Sequence, residues 1–172
     1  MRAKAQGHTV EAGEVGATDL TIVVPTYNRY PFLARLLRYY RACGAPSPMH
    51  VLDSSDDALP DPVARLLGAP GITYTRYEPD LLPIPKLSEG LRHVTTPYAV
   101  IWTDDDLLVP RSLVAAKRFL EHHRDYSLVH GKSGFFRVRP SEHGAVLTNL
   151  GPFPQRLCEY ETASARLLSY SA

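Results

Sequence analysis

Residues 20–29 read L-T-I-V-V-P-T-Y-N-R, a nearly continuous apolar and β-branched run that breaks at once into polar, turn-forming residues. A run of this length without polar alternation fits a strand covered on both faces, as in a parallel sheet flanked by helices. Leu20–Pro25 therefore reads as the first strand and Asn28–Pro31 as a turn, with Pro31 suited to the first turn of a helix that reaches about Ala42. Projected at about 100° per residue, Phe32, Leu33, Leu36, Leu37 and Tyr40 share one arc and Arg35, Arg38 and Arg41 the opposite one. The three arginines read as a solvated face rather than a phosphate site. Gly44 ends the helix.

The same alternation continues along the chain. Met49–Leu52 is a second short strand, ending in the acidic loop D-S-S-D-D at 53–57. Asp61 and Pro62 supply a cap and first turn for a short helix to Leu67. Ile72–Tyr77 is rich in β-formers and predicts a third strand. Pro79, Pro83 and Pro85 constrain the loop that follows, and Lys86–Val94 predicts a short helix weakened by Gly90. Tyr98–Trp102 predicts a fourth strand, with Trp102 in the core. Beyond Pro110 the residues 112–123 predict a helix with Leu113, Ala116, Phe119 and Leu120 turned inward. Ser127–His130 and Gly134–Val138 read as further strands and Glu161–Leu168 as a last helix. Residues 1–18 read as a flexible leader and 19–172 as one domain. Strands alternating with helices imply a three-layer α/β/α, Rossmann-like domain with a mostly parallel sheet.

The totals exclude several classes. The chain has 172 residues, enough to bury about 70% of its unfolded surface in one core. Lys and Arg number 19 against 18 Asp and Glu, a balance that points to neither a nucleic-acid nor a membrane-surface partner. No run reaches the ~18–20 apolar residues of a membrane span, and residues 1–18 lack the apolar core of a signal peptide. Cys43 and Cys158, far apart in sequence, read as reduced thiols of a cytoplasmic protein. His122, His123, His130 and His143 form no recognisable ligand set and read as surface groups.

Open parallel sheets bind ligands beyond the carboxyl ends of their strands. Here those ends carry P-T-Y-N-R, D-S-S-D-D and T-D-D-D, all on one edge. Adjacent carboxylates such as Asp104, Asp105 and Asp106 repel by up to about 4 kcal/mol per pair at roughly 4 Å and an effective dielectric near ~20. Either a cation sits among them or water screens them. If the backbone stays extended, Asp104 and Asp106 point to one side, an arrangement that suits a hard divalent cation completed by water and phosphate oxygens. In the first loop, Arg29 can make paired contacts to phosphate. Asp53 can accept hydrogen bonds from a base or sugar. Both loops equally have the composition of ordinary turns.

T-I-V-V-P-T-Y-N-R, V-L-D-S-S-D, P-K-L-S-E-G-L and Y-A-V-I-W-T-D-D-D occur in this order across roughly residues 20–125. Together they resemble the family 2 glycosyltransferases of the GT-A fold. The resemblance implies a nucleotide-sugar-binding domain of an enzyme that moves a sugar from a nucleotide-diphosphate-sugar to an acceptor, with inversion and with Mn2+ or Mg2+. It assigns Pro25, Thr26, Tyr27, Arg29 and Asp53 to the nucleotide. Asp104 and Asp105 belong near the sugar-nucleotide, and Asp106, with Asp104 beside it, belongs to the metal. Lys86 stands in K-L-S-E-G where the family commonly carries the arginine of A-R-N-x-G, and would supply that positive charge. An inverting transfer also needs a general base; Glu142, Glu159 and Glu161 are candidates without a recognisable context. The acceptor-binding half therefore reads as incomplete. Two alternatives stand beside the transferase: a chain that binds a nucleotide-sugar without turnover, and a nucleotidyltransferase, which would usually show a glycine-rich basic loop after its first strand.

Overall fold

The computed structural model describes residues 19–44, 47–79, 81–142, 144–153 and 162. The chain divides into two compact units, Met1–Val114 and Ala115–Ala172. In the first, β1 (Leu20–Thr26), α1 (Tyr30–Ala42), β2 (Met49–Asp53), α2 (Asp61–Leu67), β3 (Ile72–Arg76), α3 (Pro83–Arg92) and β4 (Tyr98–Ile101) follow in order, and α4 spans Pro110–His122. The strands form one parallel sheet in the order β3-β2-β1-β4. The expected α/β architecture is the one observed.

Register explains why β1 and β2 are mostly apolar. Ile22 lies opposite Met49 and Val24 opposite Val51, and these side chains join Leu33, Leu36, Leu37 and Tyr40 of α1 and Val63 and Leu67 of α2 in the core. The alternate positions point the other way, where Leu52 meets Gly90 of α3. Both faces of the sheet are thus covered, and a period-2 polar alternation would have buried charges. Trp102, one residue beyond β4, is buried and packs edge-on against Tyr39 and Tyr40 at 6.4 and 6.5 Å.

Several boundaries differ from the sequence reading. The helix expected at Lys86 starts at Pro83, because prolines are tolerated in a first turn whose N–H groups have no helical acceptor. Asp61 lies inside α2 behind an N-cap at Pro60 and makes no capping bond. Its charge still favours the positive end of the helix. Phe32, expected inward, is exposed.

In the second unit Ser127–His130 is not a strand; only Val129 in it is β-branched. Gly134–Val138 is the start of a longer strand, β5 (Gly134–Ser141), paired antiparallel with β6 (Gly144–Pro152). The turn uses Gly144 at φ +115°, a conformation that favours glycine. The leader, Cys158 and all but Thr162 of the expected last helix lie outside the described residues, while Cys43 is an exposed free thiol. No helix among the described residues is long and apolar enough to cross a membrane.

The α3–β2 contact leaves no room for a side chain at position 90. A Cβ there would lie 2.3 Å from Cδ1 of Leu52, itself fully buried. Overpacking costs about 1–3 kcal/mol, against roughly 1 kcal/mol returned by the better helix propensity of alanine. Gly90→Ala should lower the urea midpoint, and adding Leu52→Ala should cost less than its own single effect. Strict additivity of the two changes would refute the contact.

Candidate functional site

Three loops meet at the carboxyl edge of the sheet, and side-chain bonds tie them together. The first follows β1. Pro25 is half-buried in the strand, opposite Leu52. Thr26 is buried and its Oγ1 donates to Oδ2 of Asp104 at 2.7 Å, linking β1 to the loop after β4. Tyr27 is exposed, and its hydroxyl donates to Asp56 at 2.9 Å. Asn28 takes a left-handed backbone, φ 55°, which asparagine tolerates better than most residues. Its amide side chain clasps the second loop: Nδ2 donates to the Asp56 carboxylate, Oδ1 accepts from the Asp56 N–H, and the Asn28 N–H donates to Ser55 Oγ.

Asp53 ends β2 with no exposed surface. Its Oδ1 accepts from the N–H and hydroxyl of Ser55 at 2.8 and 2.6 Å. Its Oδ2 accepts from Tyr30, Tyr74 and Arg76 at 2.9, 2.7 and 2.8 Å. Burial alone would push this carboxyl up, but the bonds from Ser55, Tyr74 and Tyr30 outweigh it and hold the group below its usual range. Arg76 also reaches the carbonyls of Ser55 and Asp57, so one guanidinium closes the loop. Asp53 thus shapes the site from beneath, and the exposed carboxylates of the second loop are Asp56 and Asp57.

Lys86, in the first turn of α3, is 2% exposed. Its Nζ donates to the Thr26 carbonyl and to Ser54 Oγ, both at 2.7 Å. Burial lowers its pKa, while the nearby charges of Asp53 and Asp104 raise it. The charge therefore lies under the loops and ties the end of β1 to the end of β2.

The acidic run is a turn rather than an extended strand, so its carboxylates do not alternate. Asp104 is buried. Burial pushes its carboxyl above the usual range, and the Thr26 bond and the Arg29 charge offset part of that. Asp105 is exposed, and Nη2 of Arg29 donates to it at 2.7 Å, holding its pKa down. Nε of the same arginine lies 3.4 Å from Asp104. A cation does sit among the aspartates, and it is Arg29. Asp106 is exposed and accepts from Thr103 Oγ1 at 2.8 Å.

The expected residues of the three loops are thus gathered at one edge. Sequence reasoning missed Tyr30, Ser55, Tyr74 and Arg76, which serve Asp53 from a helix, a loop and a strand. Their only signal was the spacing of Tyr74 and Arg76, which places both on one face of β3. It also placed Arg35 in solvent, whereas Nη2 of Arg35 donates to the Asp105 carbonyl at 2.6 Å. Of the candidate bases, Glu142 is exposed in the second unit, and Glu159 and Glu161 lie outside the described residues. His143 also lies outside them; His123 stacks on Phe119 at 4.3 Å.

Among the described residues no group of three His, Cys, Asp or Glu side chains can enclose a metal. A closed structural site is excluded there. What the turn offers is an exposed Asp106 carboxylate bonded to a neutral hydroxyl, a donor that fits an open site completed by phosphate and water. Two cavities lie away from this edge: about 170 Å³ beside His50 and His93, and about 350 Å³ between α1 and α2 near Tyr40 and Arg65.

The glycosyl transferase family 2 model matches residues 21–142, and the chain belongs to that family. Among solved structures it is similar to the mannosyltransferase PcManGT from Pyrobaculum calidifontis, determined in complex with GDP-Man and Mn2+. The two share 29% identity at a TM-score of 0.50, over 59% of this chain and 32% of the other. The chain thus spans about a third of the length of that protein. No curated protein matches it.

The buried Asp53 cluster has a measurable acid signature. Asp53 is more acidic folded than unfolded, so its contribution is present above about pH 4 and is lost as pH falls through the depressed folded value. Asp53→Asn should cost about 1–3 kcal/mol at pH 7 by removing the charged acceptor that Tyr30, Tyr74 and the partly exposed Arg76 share. The loss of stability between pH 7 and pH 3 in urea titrations should also shrink. An unchanged acid dependence in the variant would exclude Asp53 as its source.

Proposed function

We propose that the chain binds a nucleotide-diphosphate-sugar at the carboxyl edge of β1, β2 and β4 and serves inverting transfer of the sugar to an acceptor. The observation that carries this reading is the set of bonds joining the three loops: Thr26 to Asp104, Asn28 to Asp56, and Arg29 to Asp105. They make one continuous polar rim where a parallel sheet binds ligands.

In this reading Pro25, Thr26 and Tyr27 lie along the nucleotide, with the exposed Tyr27 ring available for stacking on a base. Asp53 and Lys86 hold the loops from below. Arg29, half-exposed, exchanges its bond to Asp105 for one to a phosphate oxygen. Asp104 and Asp105 lie near the sugar-nucleotide, and Asp106, with Asp104 behind it, holds a divalent cation. When bound, that cation neutralises charge on the diphosphate leaving group. The similar mannosyltransferase was solved with GDP-Man and Mn2+, which favours GDP and Mn2+ as first probes. We further propose that the unit ending at Val114 is the donor-binding part of the chain. A chain that binds the donor without turnover is the second reading, because none of the candidate bases stands in a recognisable sequence context.

Calorimetric titration with GDP and with UDP, each with and without Mn2+, tests the proposal. Metal-dependent tightening is expected for one of them. Asp106→Ala should abolish that tightening with the circular dichroism spectrum preserved. Equal tightening in the variant, or none in the wild type, would defeat it. Release of free nucleoside diphosphate together with a glycosylated acceptor separates transferase from binding domain.

A further inference from the structure

Two residues of α1, Phe32 and Arg35, are left unused by the nucleotide reading. Arg29, Phe32 and Arg35 sit at a spacing of three residues, so they share one flank of the helix start. The guanidinium carbons of Arg29 and Arg35 lie 4.7 and 5.3 Å from the centroid of the Phe32 ring. Each arginine thus gains a cation–π contact from the same exposed ring. Each also reaches the acidic turn, Arg29 at the Asp105 carboxylate and Arg35 at the Asp105 backbone carbonyl, 2.7 and 2.6 Å away.

The two contacts differ in kind. A carboxylate is a rotatable side chain, and a phosphate can displace it from Arg29. A backbone carbonyl belongs to the turn itself, and a charged donor fixes it more firmly than a neutral one. The next carbonyl is fixed as well: Nε1 of Trp102 donates to the Asp106 carbonyl at 3.1 Å. With the main chain of Asp105 and Asp106 pinned from two sides, the Asp106 carboxylate projects from a fixed base. We propose that Arg35 is a positioning residue that holds the acidic turn in the form in which Asp106 can ligate the divalent cation. This rests on the donor-site reading above.

Trp102 is the only tryptophan of the chain, and its bond to Asp106 makes its emission a reporter of the turn. Arg35 is exposed, so Arg35→Ala should fold. In the protein without ligand, Arg35→Ala should shift the Trp102 emission and speed amide hydrogen exchange at residues 103–106, with exchange in β1 and β2 unchanged. With GDP and Mn2+, the metal-dependent tightening should fall about tenfold or more, as is typical when the support of a metal ligand is removed. Affinity without metal should stay as in the wild type. Arg35→Lys, which keeps a charged donor, should recover part of the effect. Unchanged exchange and emission would overturn the latch. Faster exchange with full metal-dependent tightening would overturn its role in metal binding alone. Absence of tightening in the wild type itself would defeat both this inference and the donor-site reading.

Discussion

The structure depends on one electrostatic constraint: carboxylates gathered at a sheet edge must each have a counter-charge or enough donors. Lys86 shows the constraint most plainly. A lysine that is 2% exposed forfeits the hydration of its ammonium group, a cost of several kcal/mol in real proteins. It is tolerated because the Thr26 carbonyl and Ser54 hydroxyl accept from it and because Asp53 and Asp104 lie near. Arg76 does the same for Asp53, and Arg29 for Asp104 and Asp105. Removing any one cation would leave a buried or crowded carboxylate uncompensated, and the loops it joins would lose their fixed spacing.

That distribution also decides what is left for a ligand. Asp53 is saturated by its donors, and Asp104 is buried behind Thr26. Asp105 is engaged but exposed, and Asp106 meets only neutral donors among the bonds of its carboxylate. The row of three aspartates is therefore three different groups. Their burial, partners and shifts separate them, with Asp104 raised and Asp105 lowered. A carboxylate that is already neutralised contributes little to a metal, so the division of labour follows from the neighbours rather than from the sequence order.

The fold was legible because its signals are local. The apolar run 20–25, the helical arc of α1 and the turn residues after each strand all act within a few positions. Convergence of the three loops was legible too, since parallel strands place their carboxyl ends on one edge. What stayed hidden depends on contacts distant in sequence. Lys86 was assigned to the site only through the family resemblance, because nothing local says that α3 packs on the ends of β1 and β2. Arg35 looked solvated because the helical projection shows only which flank it occupies, and the acidic turn it reaches lies 70 positions away. The hairpin strand β6 was missed for another reason: its sequence, G-A-V-L-T-N-L-G-P, mixes glycine, asparagine and proline with few β-branched residues.

The first turn of α3 shows how little a helix end offers an anion at this edge. A helix N-terminus ordinarily offers free N–H groups to an anion. Lys86 of that turn reaches the ends of β1 and β2, so the turn lies at the loop edge. Yet Pro83 and Pro85 have no N–H, and the N–H of Lys86 is already bonded to the Leu82 carbonyl at 3.1 Å. Ile84 alone keeps its N–H in the opening of the helix. The prolines that make the helix start sharply thus strip it of its anion-binding capacity. Exposed positive charge remains at this edge in the half-exposed guanidinium of Arg29.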